Sequence, residues 1–134
     1  GQQSATFSAT IVNNALRDGS QPATVTASAA GYQSGALDLT IRDNDADSYT
    51  FAPIASPQRR NNPFVITLTA RDVNGEIIAT PAGSVTLSGT AASGTVAFSP
   101  TAVGTFSNGV ASVIPTFTAA ATGIVLTATW DRSA

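Results

Sequence analysis

The side chains able to do acid–base or metal chemistry in this 134-residue chain are its eight carboxylates, because there is no His, no Cys and every one of the six basic residues is Arg. Without His or Cys there is no Ser-His-Asp or Cys-His nucleophile pair, no zinc finger, no haem ligation and no iron–sulfur cluster. Without Lys there is no Schiff base and no P-loop phosphate cradle. Two routes remain, paired carboxylates as in glycoside hydrolysis or a divalent ion held by carboxylates, and both need acids converging in a cleft. Asp72 and Glu76 bracket a turn and could pass for such a pair, yet turn chemistry alone accounts for Asp72. Asp43, Asp45 and Asp47 alternate along a linker that also holds Asn44. A bend there would bring several hard oxygens to one Ca²⁺; equally, Asp and Asn are ordinary turn formers. Both readings of the linker stay open. No acid pair is better explained by catalysis than by turns, so the chain is read as a non-enzyme.

Charge and aromatic content narrow the partners. A net charge of −2 with 10% charged residues argues against nucleic acid, which demands several phosphates neutralised by clustered Lys or Arg. Arg59 and Arg60 form the one adjacent basic pair, in a polar stretch with Asn61 and Asn62 that is either solvated or touches an anionic partner. Tyr32, Tyr49 and Trp130 combine aromatic surface with a polar tip, and of these Tyr32 and Trp130 are the candidate stacking platforms for a polysaccharide. Trp130 continues the inward face of its strand, which favours a packing role, whereas Tyr32 sits in a Gly-flanked turn. No run reaches the roughly 18 to 20 apolar residues of a membrane span and no basic, apolar leader opens the chain, so neither is expected.

The elements that must position these residues are strands. Strict apolar–polar alternation marks half-buried strands, and it appears at Phe7, Ala9 and Ile11, at Ala23, Val25, Ala27 and Ala29, and at Leu37, Leu39 and Ile41. After the acidic linker it restarts at residues 49–51 and 64–70, with further strands expected at 76–80, 84–89, 95–98, 110–118 and 123–130. No helical apolar stripe of useful length is present. Asp72-Val73-Asn74-Gly75 and Ser107-Asn108-Gly109 supply the positive-φ residues of tight hairpins, and Pro57, Pro63, Pro81 and Pro100 fall at strand ends, where a missing N–H does no harm. Strands spaced this way predict an all-β fold, an antiparallel β-sandwich of immunoglobulin-like shape.

Two segments carry a family resemblance. Residues 5–45, ATFSATIVNNALRDGSQPATVTASAAGYQSGALDLTIRDND, resemble the C-terminal half of a Calx-beta module. Residues 49–130, opening YTFAPIASPQRRNNPFVITLTARDVNGE and continuing GTVAFSPTAVGTFSNGVA, resemble bacterial Ig-like repeats. The resemblance implies a division into a three-stranded Calx-beta-like segment over 1–47 and an Ig-like sandwich over 48–134, in a secreted or cell-surface bacterial protein. It implies a structural or adhesive role, with antiparallel ladders carrying load along an array of neighbouring modules or further copies. The alternative is an accessory carbohydrate-binding or spacer module of a secreted multidomain enzyme. The same families often hold Ca²⁺ at module ends or junctions. Where they carry acids after the first strand this chain has Asn13 and Asn14, with Asp18 the nearest acid, which weakens any calcium site in the first module.

A Calx-beta module needs about seven strands, and three are read here before the second unit begins. The apolar set Phe7, Ile11, Leu37, Leu39 and Ile41 then lacks a covering sheet unless the sandwich packs on it or strands of another copy complete it, the remaining reading being an excised fragment.

Overall fold

Period-two alternation decides where the chain hides its apolar side chains, and the strands follow it. The computed structural model describes residues 4–131, which form an all-β fold with no helix. The first two strands, β1 (Gln21–Ala27) and β2 (Gly35–Ile41), form an antiparallel hairpin. Then come β3 (Ser48–Phe51), β4 (Ile66–Arg71), β5 (Val85–Ala91), β6 (Gly94–Thr95), β7 (Phe98–Ser99), β8 (Val110–Val113), β9 (Thr116–Phe117) and β10 (Val125–Trp130).

Two three-stranded sheets, ordered β3-β4-β8 and β10-β5-β6, face each other across one core. Ile66, Leu68 and Val113 on one sheet meet Val85 and Leu87 on the other, with Phe98 of β7 and Phe117 of β9 closing the gap between them. Ile66 and Leu68 are wholly enclosed; each contributes about 1.5–3 kcal/mol through lost apolar hydration. Phe98 stacks on Phe117 with ring centroids 4.6 Å apart, and Phe64 continues the stack at 5.5 Å. Outward positions on the same strands are hydroxylic: Thr67 and Ser112 face each other across β4 and β8 and share a 2.9 Å hydrogen bond. The strands β3, β4, β5 and β10 thus follow the alternation.

Several expected elements differ. Residues 4–20 form no strand, so the first of the three N-terminal strands, carrying Phe7 and Ile11, is not formed, and the hairpin is a separate two-stranded sheet. Alternation makes a segment strand-competent, but a strand exists only where an edge pairs with it. The stretch 76–80 makes a single bridge, Arg71 to Ile77, rather than a strand. The run 95–98 divides because Gly94–Thr95 ends a hairpin with β5 whereas Phe98–Ser99 has crossed to β9. The run 110–118 divides at Pro115, which has no N–H to donate to a ladder.

The turns behave as their sequences suggest. Asn108 and Gly109 both take positive φ, at 49° and 79°, and Ser107 and Val110 exchange backbone hydrogen bonds around them, the geometry that a tight two-residue hairpin needs.

Candidate functional site

Two edges and two ends define what the molecule presents. Chain direction places the base of the β1–β2 hairpin, the start of β3, the end of β4 and the end of β10 together at one end of the sandwich, called here the proximal end. Ser48 pairs with Arg71, Trp130 pairs with Val85, and the Ala82 N–H donates to Asn44 O. The opposite, distal end holds the loop 55–62, tied by the Asn61 N–H to Phe117 O at 2.8 Å.

At the proximal end the linker aspartates are engaged by the chain itself. Asp43 accepts the Gly19 N–H on Oδ2 at 2.9 Å and the Asp45 N–H on Oδ1 at 2.8 Å. Asp47 accepts Arg17 Nη1 at 2.7 Å in an ion pair whose members are each about a third exposed, which is worth at most about 1 kcal/mol. Asp45 is different: its Oδ2 is enclosed with no hydrogen-bond partner, beside a recess of about 20 Å³ lined also by Ala15, Arg17 and Gly83. Burial, then the negative charges of Asp43 and Asp18, push the Asp45 carboxyl above the ordinary carboxylate range. Among the described residues no three His, Cys, Asp or Glu side chains converge as a metal site.

Asp72 is buried and its Oδ1 accepts the N–H groups of Asn74 at 2.9 Å and Glu76 at 2.7 Å. It organises the 72–76 turn from inside. Glu76 points the other way, its Oε2 accepting Ser20 Oγ at 3.4 Å and so touching the hairpin base. Asp72 and Glu76 both border a groove at the hairpin base, but Asp72 Oδ1 is held by the N–H groups of its own turn, so the turn accounts for the pair.

The hairpin carries the apolar surface. The register pairs Val25 with Leu37, Ala23 with Leu39 and Gln21 with Ile41, so Leu37, Leu39 and Ile41 share one face. Leu37 is 65% exposed, and Leu39 and Ile41 are half-buried. The opposite face is polar, with Thr24 Oγ1 donating to Asp38 at 2.6 Å. Phe7 and Ile11, at 75% and 65% exposed, do not cover the apolar face. Packing of the sandwich onto the hairpin, one of the arrangements open from sequence, is not what the single chain adopts.

The two candidate stacking aromatics part company. Trp130 is half-buried, packs against the sandwich core and meets Tyr49 edge-on with centroids 5.2 Å apart. Tyr32 is 80% exposed at the hairpin tip, where its N–H donates to Ala29 O at 3.1 Å. Arg59 and Arg60 are both exposed in the distal loop.

Sequence reasoning missed Gly19. It is buried with φ at +72°, and a Cβ there would run into the Asn74 side chain. The turn-forming run Arg17-Asp18-Gly19-Ser20 is the one signal that marked it.

No protein-family model, no curated protein and no solved structure matches the chain. The functional reading therefore rests on the chain's own residues. Among those described, no helix is long and apolar enough to cross a membrane.

Proposed function

We propose that this chain is a structural or adhesive module of a bacterial extracellular or cell-surface protein, and that another copy completes its hairpin sheet. The observation that carries the reading is the open apolar face of β1–β2, with Leu37 fully paired in its ladder yet exposed. A lone two-stranded hairpin is marginal in water and gains stability when a further strand or sheet covers it. Among the described residues no further strand pairs with either of its edges, which leaves a template for strand addition. The resemblance of residues 5–45 to half of a Calx-beta module and of residues 49–130 to Ig-like repeats agrees with this reading as a fold-level analogy alone. Light scattering during size exclusion over a concentration series tests it. Discrete or growing oligomers that a Leu37→Asp substitution abolishes are expected; a monomer at every concentration overturns it.

The exposure of Tyr32 favours a second reading, an accessory polysaccharide-binding or spacer module. In that case polysaccharide binding is lost on Tyr32→Ala while the solution mass stays monomeric.

A further inference from the structure

Charge is divided unevenly between the two ends of the sandwich. The proximal end gathers the three linker aspartates with Asp18, Asp72, Glu76 and Asp131, against Arg17, Arg42 and Arg71. The distal end holds Arg59 and Arg60 and no acid. Among the described residues one end is therefore net negative and the other net positive, although the whole chain carries only −2.

Each end also has apolar surface beside its charge. On the proximal side this is the apolar face of the hairpin, which rises from the Gln21–Ile41 rung at the base to Val25–Leu37 four rungs nearer the tip. At the distal end the β4–β8 register, running from Ile66–Val113 through to the Pro63–Thr116 bridge, sets Val65 directly opposite Ile114. Both are more than half exposed, on the outer face next to the arginine loop. A groove of about 210 Å³ lies at the hairpin base, lined by Asp43, Asp72 and Glu76 together with Ser20 and Arg42, so an incoming guanidinium would meet Glu76 beside a resident arginine and two carboxylates that already accept backbone N–H groups.

We propose that the hairpin face is covered by the distal end of a second copy of this chain, head to tail, with Arg59 and Arg60 set against the net negative proximal end and Val65 and Ile114 seating on Val25 and Leu37. This rests on the assembly reading above and adds which surface of the second copy does the covering. Opposite charges on opposite ends let the two ends of neighbouring copies attract each other. The contact is heterologous, and repeated it builds an open filament rather than a closed pair. Rim charges steer such an encounter and make it sensitive to salt.

The test uses the full chain in light scattering at low and high ionic strength. Mass should grow with concentration without stopping at a dimer, and it should fall as salt is raised. The exposed pair substitution Arg59→Glu/Arg60→Glu should weaken association by roughly tenfold or more. Adding Asp18→Arg/Glu76→Arg to the same chain should restore it. Unchanged association of the Arg59→Glu/Arg60→Glu chain, or a species that stops at a dimer, overturns the head-to-tail contact. If in that case Leu37→Asp still abolishes association, assembly through the hairpin stands without this geometry. A wild-type chain that is monomeric throughout overturns both. Unaltered circular dichroism of each variant confirms that folding is retained.

Discussion

The Asp43 carboxylate accepts the backbone N–H of Gly19 at 2.9 Å, joining positions 24 apart in the chain. This bond ties the strandless segment before β1 to the linker after β2, so the two ends of the hairpin leave the sandwich side by side. Asp43→Ala removes a charged acceptor from a part-buried donor and should loosen the hairpin base by about 1 to 3 kcal/mol. Amide hydrogen exchange reads this directly, with faster exchange at Gly19 and in β1 and unchanged protection in β4. Gly19→Ala should produce the same pattern, since φ there is +72° and a methyl group meets Asn74.

Core and hairpin should respond oppositely to truncation. Leu68 is wholly enclosed, and Leu68→Ala should cost about 2 to 5 kcal/mol in urea unfolding. Leu37→Ala removes an exposed side chain and should stay within about 0.5 kcal/mol for the monomer. A large loss from Leu37→Ala in a monomeric sample would mean that the hairpin face is covered within the chain.

Acid should relieve a strain at Asp45. Its carboxyl is held above the usual range by burial and by the charges of Asp43 and Asp18. The folded state therefore keeps this proton at a pH where the unfolded chain has released it, and the contribution of Asp45 to stability falls as pH rises through that window. Asp45→Asn should raise the melting temperature at neutral pH. The gain should vanish below the ordinary carboxyl pKa of about 3.9, where both states are protonated. A gain of equal size at all pH values would separate it from Asp45 ionisation.

Calcium should leave the melting curve where a chelator puts it. Asp43 and Asp47 already accept donors from Gly19, Asp45 and Arg17, and calcium requires six to eight oxygens free to turn toward it. A calcium-dependent rise in melting temperature that Asp45→Ala abolishes would place an ion in the linker.

Much of this architecture is legible in the sequence because period-two alternation states which side of a strand must be dry. Leu37, Leu39 and Ile41 fall on one face as read, and so do Ile66, Leu68 and Ala70. Alternation does not state whether a partner edge exists, which is why Phe7, Ala9 and Ile11 look like a strand and form none. Interruptions are legible only when the interrupting residue is given its full weight: Pro115 divides the single strand expected over 110–118 into two strands that join different sheets. The site is less legible than the fold. Asp43 and Asp47 suggest an ion by their spacing, but donors from Gly19 and Arg17, distant in the chain, engage them. Trp130 was readable as a packing residue from its place on an inward face. The contrast between the two ends was not, because it depends on which loops chain direction brings together.

The path of the chain through the sandwich has a mechanical meaning. β3 starts and β10 finishes at the same end, where Asp45 and Asp131 line one recess. A pull applied through residues 47 and 131 would not run along the strands. It would open β3 from β4 and β10 from β5 one rung at a time, as a zip opens, while the stacked phenylalanines at the far side bore little of the tension. Under that pull the sandwich would hang beside the line of force as a lobe, whereas a pull passed from the proximal to the distal end would run along its ladders.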